Sequence, residues 1–446
     1  MPLDLPAPLR GDNHQLSIRY VPVDALKPLD GNPRTYSRSD RRRAKRIVKR
    51  FRLSLPLVID LDNHVIVGEL LLLAAIELGL TEVPTVYATG FSALELQAMS
   101  VAYNRLGETG QWDQAALGKW ILEFEDRMID FDPGDIGLEV AEVDLAIASA
   151  DDGELEEKPI EQGSHVALLG DLYLLGKARL LVGDATREDH VARLMNGRHA
   201  AMLFADPPYN VKINGHVSST DRYSEFEMAA GEMSPDQFTG FLGKFIELAV
   251  RFSIGGAVHY ICMDWRHMRE LLDAAHSHYG AHLNVCVWVK DRPSQGSWYR
   301  SQHEFVFAFR VGKERQRNNV QLGRFGRSRT NVWTYPSAAT FLKQDEDGTL
   351  QRGHPTPKPV KLVADAILDC TKRGDIILDP FLGSGTTLIA AERVGRICYG
   401  VELDPQYADL SIRRWQSWTG QDAIHEETGL TFNELAQQRL AEVGHG

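Results

Sequence analysis

The sequence predicts an α/β protein: a large, mostly parallel sheet with helices, preceded by a smaller α+β unit. Three observations carry this. Across residues 163–420, short apolar runs alternate with longer segments of helical spacing. Across residues 16–110, short strands and a hairpin surround two helices. Between the two regions, residues 151–161 read DDGELEEKPIE, with six acidic residues, one Lys and one Pro, the composition of a linker. A length of 446 residues suits two or three domains of ~150 residues each.

In the first region Leu16–Val21 is strand-like, and Arg42–Phe51 has the composition of a basic helix. Leu57–Ile59 and Val65–Val67 read as a hairpin across Asp62-Asn63. Glu69–Leu78 has helical spacing, and Gly79 is placed to end it. Val83–Tyr87 is a further strand, and residues 111–147 are mostly helical, broken at Asp132-Pro133-Gly134. In the second region the strands are Leu172–Leu174, Ala201–Phe204, Gly256–Met263, Val285–Val289, Phe305–Phe309, Ile376–Leu378 and Ile397–Val401. The helices are Pro235–Phe252, Trp265–His278, Val360–Thr371 and Thr387–Val394. The expected domains are residues 1–110, a helical connector and linker over 111–162, the large domain over 163–420, and a tail over 421–446.

Composition excludes several classes. No apolar run reaches the ~18 residues of a spanning helix, and the N-terminus has no basic segment followed by an apolar one, so neither a membrane protein nor a signal peptide is expected. Cys262, Cys286, Cys370 and Cys398 form no C-x-x-C pair. No metal site or disulfide framework is expected, and a cytoplasmic setting fits. The net charge of −12 argues against indiscriminate nucleic-acid coating. Positive charge is local: residues 38–52 carry nine basic residues and one acidic, and residues 291–335 carry nine basic and three acidic.

Ligands of such sheets sit beyond the carboxyl ends of strands. One strand end continues Asp379-Pro380-Phe381-Leu382-Gly383-Ser384-Gly385-Thr386-Thr387, and the next strand ends at Glu402, 23 residues beyond Asp379. Glycines let a cofactor approach the backbone, and an acidic residue ~20 residues on suits ribose hydroxyls. A second strand end reads Asp206-Pro207-Pro208-Tyr209. Two prolines remove N–H donors, which leaves a carboxylate, backbone carbonyls and an aromatic ring. Such a wall of acceptors suits an amino group on a planar ring.

Together these blocks resemble the amino-group DNA methyltransferases that use S-adenosylmethionine. The order, D-P-P-Y first and F-x-G-x-G last, resembles the beta class. Leu181-Val182-Gly183-Asp184, Trp288-Val289-Lys290-Asp291, His303-Glu304 and His354-Pro355-Thr356-Pro357-Lys358-Pro359 extend the match over roughly residues 163–420. The resemblance implies a Rossmann-like, S-adenosylmethionine-dependent methyltransferase fold acting on double-stranded DNA after base flipping. It implies Asp206, Pro207, Pro208 and Tyr209 as the catalytic block. Asp379, Pro380, Phe381, Gly383, Ser384, Gly385, Thr386 and Glu402 would hold the cofactor, with Asp184, Thr356 and Lys358 lining the same pocket. It sets the target-recognition region at about residues 291–335. Arginine suits phosphate and guanine contacts, so Arg292, Arg300, Arg315, Arg317, Arg324, Arg327 and Arg329 are the candidate DNA-binding residues. No cysteine follows a proline, so no thiolate mechanism on cytosine C5 is expected. Asp206 favours adenine N6, with cytosine N4 as the alternative base. A noncatalytic DNA-binding regulator and a methylase of RNA or of protein amides are the other readings. A homodimer is implied by resemblance alone.

Residues 16–110 resemble the ParB-like N-terminal domain, through Asn32-Pro33-Arg34, Ile66-Val67-Gly68-Glu69, Leu78-Gly79-Leu80, Val83-Pro84 and Asn104-Arg105. Relatives place arginines after the position of Gly68 to hold a nucleotide or phosphate. Here that segment is Glu69-Leu70-Leu71-Leu72-Leu73. A cationic clamp cannot be built from leucines, so docking or DNA positioning is expected in place of CTP binding or nuclease activity. The fusion resembles orphan modification enzymes of phages and mobile elements.

Overall fold

The computed structural model describes residues 16–106, 110, 112–128, 132–150, 166–210, 231–293, 298–320, 329–336 and 358–443. The chain divides into two compact units, within residues 1–152 and 153–446. No helix among the described residues is long and apolar enough to cross a membrane. The acidic linker falls outside the described residues.

The first unit is built on strands β1 (Arg19–Pro22), β2 (Lys27–Pro28), β3 (Leu57–Ile59), β4 (His64–Val67) and β5 (Glu82–Tyr87). They form a mixed sheet in the order β1-β5-β3-β4-β2. Helix α1 spans Arg38–Phe51 and α2 spans Glu69–Glu77. α1 begins four residues before the expected Arg42, because Ser37 and Asp40 form a reciprocal capping box. Ala44 and Val48 of α1 pack against Ala74 of α2. Helix α3 (Ala93–Leu106) was not expected; Ser100 is its one buried residue, so no apolar stripe marks it in the sequence. Helices α4 (Gln114–Arg127) and α5 (Val140–Ala150) belong to this unit and do not form a separate connector. Arg43 and Arg46 of α1 tie the segment before α5 in place, at 2.7 Å from Glu139 and 2.9 Å from Asp135.

The second unit is a ten-stranded sheet. Its strands are β6 (Leu172–Leu175), β7 (Ala178–Val182), β8 (Ala200–Ala205), β9 (Ser253–Met263), β10 (Ala281–Val289), β11 (His303–Arg310), β12 (Val332–Thr334), β13 (Ile376–Asp379), β14 (Ile397–Glu402) and β15 (Ile424–His425). The order is β12-β10-β11-β9-β8-β13-β14-β7-β6-β15. The five strands from β9 to β7 run parallel, and β11, β6 and β15 add antiparallel pairs outside them. The helices are α6 (Glu188–Met195), α7 (Pro235–Arg251), α8 (Met268–Ala275), α9 (Val360–Cys370), α10 (Thr386–Arg393), α11 (Pro405–Thr419) and α12 (Phe432–Val443).

Both sheet faces are buried. Met202 and Phe204 of β8 join one core with Leu362, Ile389 and Ile412 of α9, α10 and α11. Leu203 and Ala205 join the other with Leu194, Phe245 and Leu271 of α6, α7 and α8. Alternate residues of one strand thus serve opposite layers, as a doubly wound sheet requires. From β8 the chain builds outward through β9, then returns to lay β13 against the other side of β8. The crevice beyond β8 and β13 is the topological switch point of the sheet.

Candidate active site

β8 and β13 are hydrogen-bonded neighbours, with Leu203 opposite Leu378. Their carboxyl ends therefore bring Asp206 and Asp379 to the same edge, although 173 residues separate them in the chain. A cleft opens there, lined by Phe204, Asp206, Lys358, Val363, Asp379 and residues 381–384, 386 and 387.

The loop after β13 is shaped by local bonds. The Asp379 carboxylate accepts the Phe381 N–H at 3.0 Å. Gly385 takes φ +81° to start α10, and a Cβ there would lie 2.9 Å from Ser411 Oγ. Ser411 and Arg414 of α11 hold the carbonyls of Gly383 and Ser384, at 2.7 and 2.9 Å. Glu402, at the end of β14, accepts the Gly383 N–H at 2.6 Å and the Asp404 N–H at 2.9 Å. Burial pushes the carboxyls of Asp379 and Glu402 up to about 7, opposed only in part by these bonds.

The Asp206 carboxylate holds two donors. Its Oδ1 accepts the Tyr209 hydroxyl at 2.6 Å, and its Oδ2 accepts the Lys358 ammonium at 2.5 Å. Pro207 is buried, and Tyr209 packs against both cores. Lys358 Nζ also lies 3.0 Å from Glu304 Oε2, and Glu304 is bonded in turn by Lys290. The D-P-P-Y turn closes on Asn210, which takes φ +53°. Its side chain donates to the Met233 carbonyl and accepts from the N–H groups of Gly231 and Met233.

The expected residues thus gather unevenly. Asp206, Phe381, Gly383, Ser384, Thr386, Asp379 and Lys358 line one cleft. Lys358 lies on the Asp206 carboxylate, which its motif alone did not reveal. Asp184 follows the end of β7, where its Oδ1 accepts the N–H and hydroxyl of Thr186, and it does not line the cleft. Thr356, Arg324 and Arg327 lie outside the described residues.

The arginine set divides. Arg292 and Arg300 are exposed on the connection between β10 and β11, next to Lys290 and Glu304 and so at the Asp206 edge. Arg315 and Arg317 are exposed but follow the far end of β11. β11 runs antiparallel to β9, with Phe305 opposite Met263 and Arg310 opposite Val258. Its eight residues therefore carry the chain about 23 Å toward the opposite sheet edge, at ~3.3 Å per residue. Arg329 turns inward, with Nε 2.7 Å from Asp369 Oδ2 and Nη1 2.8 Å from the Tyr335 hydroxyl. Arg315 and Arg317 thus lie at the sheet edge opposite Asp206, and Arg329 is paired within the fold.

Glu304, Lys290 and Asn210 were absent from the expected site. The His303-Glu304 and Trp288–Asp291 blocks were signals for two of them, but their role needed the fold.

Residues 200–413 match the family model of the N6/N4 DNA methylases. The chain carries an N6/N4 DNA methylase domain. Among curated proteins, the Type II methyltransferase M2.DpnII of Streptococcus pneumoniae is 28% identical over 230 residues, 48% of this chain and 82% of that protein. The Type II methyltransferase M2.MboI of Moraxella bovis is 25% identical over 246 residues, 53% of this chain and 85% of that protein. Solved structures similar to it include the M1.HpyAVI–SAM complex, at 19% identity and TM-score 0.40, covering 53% of this chain and 97% of that one. The chromosome-partitioning protein ParB of Caulobacter crescentus, solved with CTP-γ-S, is 19% identical at TM-score 0.26, covering 30% of this chain and 79% of that one.

Proposed function

We propose that this chain methylates the N6 amine of adenine at a specific sequence in double-stranded DNA, with S-adenosylmethionine as methyl donor. One observation carries the reading: the D-P-P-Y strand end and the F-x-G-x-G loop open onto one cleft.

The residues fit that cofactor. Gly383 presents its backbone to the cleft, Phe381 and Leu382 offer apolar surface, and the Glu402 carboxylate suits ribose hydroxyls. S-adenosylmethionine supplies a methyl group on a sulfonium, whose departure leaves a neutral thioether. The chain's part is to hold and orient the amine. Asp206 and the Pro207 carbonyl accept its N–H groups, which turns the nitrogen lone pair toward the methyl group. Such alignment is worth up to ~7–11 kcal/mol in well-oriented systems. The target base must leave the duplex, at a cost of a few kcal/mol. Tyr209 stacking offsets part of that cost.

Two exposed surfaces support DNA docking. Trp298 and Tyr299, 83% and 82% exposed, stand with Arg292 and Arg300 on the β10–β11 connection. Exposed aromatics beside arginines suit stacked bases and phosphates. In the first unit, which we read as ParB-like, Arg38, Arg42, Lys45 and Lys49 form one cationic stripe along α1, flanking the face of buried Ala44 and Val48. Reversing Arg38, Arg42 and Lys49 to Glu should weaken duplex binding and flatten its salt dependence by about three charges. Unchanged binding in a salt titration removes the stripe from this reading. Sedimentation on and off DNA tests the homodimer that the beta-class resemblance implies.

The central test is modification-sensitive sequencing of plasmid DNA from a methylation-deficient host expressing wild type or Asp206→Ala. N6-methyladenine at one short motif, with wild type alone, is expected. N4-methylcytosine would change the base. An unmodified plasmid, despite folded protein that binds S-adenosylmethionine, would overturn the reading.

A further inference from the structure

Four charged side chains from four separate elements meet behind the proposed target site. Asp206 follows β8, Lys290 follows β10, Glu304 lies on β11, and Lys358 precedes α9. They alternate in sign along one chain of contacts. Asp206 takes Lys358, Lys358 takes Glu304, and Glu304 takes Lys290. The sum of the four formal charges is zero, which is how a protein interior tolerates charges at all. The Lys358 side chain is only 5% exposed. The Trp288 ring lies under both ammoniums, 4.9 Å from Lys290 Nζ and 5.8 Å from Lys358 Nζ.

We infer that Lys358 is a positioning residue for Asp206, fixed in turn by Glu304, and that its task is to hold the Asp206 carboxylate in place as the acceptor for the target amine. This rests on the methyl-transfer reading above. A protonated carboxyl would present an O–H to an amine that must donate, and the contact would be lost. Asp379, across the same cleft, is raised to about 7 chiefly by burial. Cys262 on β9 faces the cluster as a buried thiol, raised well above its ordinary value by burial and so neutral. The Tyr209 hydroxyl, also raised by burial and neutral, donates to Asp206. Lys358 is thus the cation on Asp206 among the described residues that these elements contribute. Burial opposes its own charge, and Asp206 and Glu304 overcome that. Burial likewise opposes the charge of Glu304, and Lys358 and Lys290 hold its carboxyl below the ordinary range.

The contacts on Nζ tie this role to Asp206. Nζ of Lys358 is engaged by two carboxylates, Asp206 and Glu304, and both flank the D-P-P-Y side of the cleft. Lysine can rotate its three donors between such acceptors without losing its charge. Glu304 supplies the second acceptor, which stops the ammonium from swinging away when an amine arrives at Asp206.

The test is the pH profile of DNA methylation by the full chain, with S-adenosylmethionine affinity measured separately by calorimetry. Lys358→Met should lower kcat about a hundredfold and Glu304→Gln roughly tenfold, with cofactor affinity within about twofold. In both variants the acidic limb of the profile should move to higher pH. Lys358→Arg should keep the wild-type limb at a reduced rate. If Lys358→Met proves unfolded, the near-isosteric Glu304→Gln still reads the limb. A limb that stays in place while the rate falls, or a tenfold loss of cofactor affinity, overturns the inference. A wild-type chain that binds the cofactor but methylates no DNA overturns the methyl-transfer reading and this inference with it.

Discussion

Two junctions in this chain share a backbone device and differ in what surrounds it. β4 passes through Gly68, at φ +101°, into α2, and the loop after β13 passes through Gly385, at φ +81°, into α10. Neither helix has a side-chain cap at that glycine. After Gly68 the chain reads Glu-Leu-Leu-Leu-Leu, and Glu69 accepts the side-chain amide of Asn32 from its own unit. After Gly385 it reads Thr-Thr-Leu-Ile, beside a cleft that Asp206 and Asp379 enter from adjacent strand ends. A glycine-headed helix gives a ligand access to backbone. The neighbouring strand ends decide whether there is anything to bind.

Cofactor affinity is the sharpest measure of that contrast. Glu402→Ala should weaken S-adenosylmethionine binding about a hundredfold, since it removes a charged acceptor and the partner of the Gly383 N–H. Glu69→Ala should leave the affinity within about twofold. Equal losses in calorimetry would erase the distinction between the junctions.

A smaller effect follows from pH. The Glu402 carboxyl is raised to about 7 by burial, so it gains its charge only near neutrality. A ligand that uses it as an anionic acceptor should bind about tenfold more weakly at pH 6 than at pH 8. The sign for stability is opposite to that of a salt-bridged acid. Asp379 and Glu402 are raised above their unfolded values of ~4. Their contribution to stability is present below pH 4 and is lost as pH rises through about 7. The unliganded chain should therefore melt at a lower temperature at pH 8 than at pH 6.5. In the Asp379→Asn, Glu402→Gln double variant that difference should shrink.

The least effect on the cofactor is expected at the other glycine. A Cβ on Gly68 would lie 2.5 Å from Leu57 Cδ2, and alanine there must also hold a left-handed backbone. Gly68→Ala should destabilise the first unit by about 1–2 kcal/mol in chemical denaturation, with cofactor affinity unchanged.

What was legible in the sequence follows the range of the interactions concerned. The strand ends at Asp206 and Asp379 could be read because each motif is continuous and follows an apolar run. Gly79 and the Asp62-Asn63 turn could be read because turn chemistry is local. The bond from Lys358 to Asp206 spans 152 residues, and no periodicity encodes such a meeting. The arginines of residues 291–335 looked like one cluster. An antiparallel β11 splits Arg300 from Arg315, and the direction of a strand is not written in its composition. Arg329 misled for another reason: an arginine bound to Asp369 and one reaching for phosphate have the same letter. α3 and α11 carried readable start signals, Ser92 with Glu95 and Asp404 with Pro405, that periodicity alone passed over.

Asn210 gives the molecule a different kind of freedom. One amide fixes the point where the chain departs from the D-P-P-Y turn and the point where it comes back, at Gly231 and Met233. All three bonds go to backbone groups, so the side chain at position 233 can change without loosening the turn that carries Asp206.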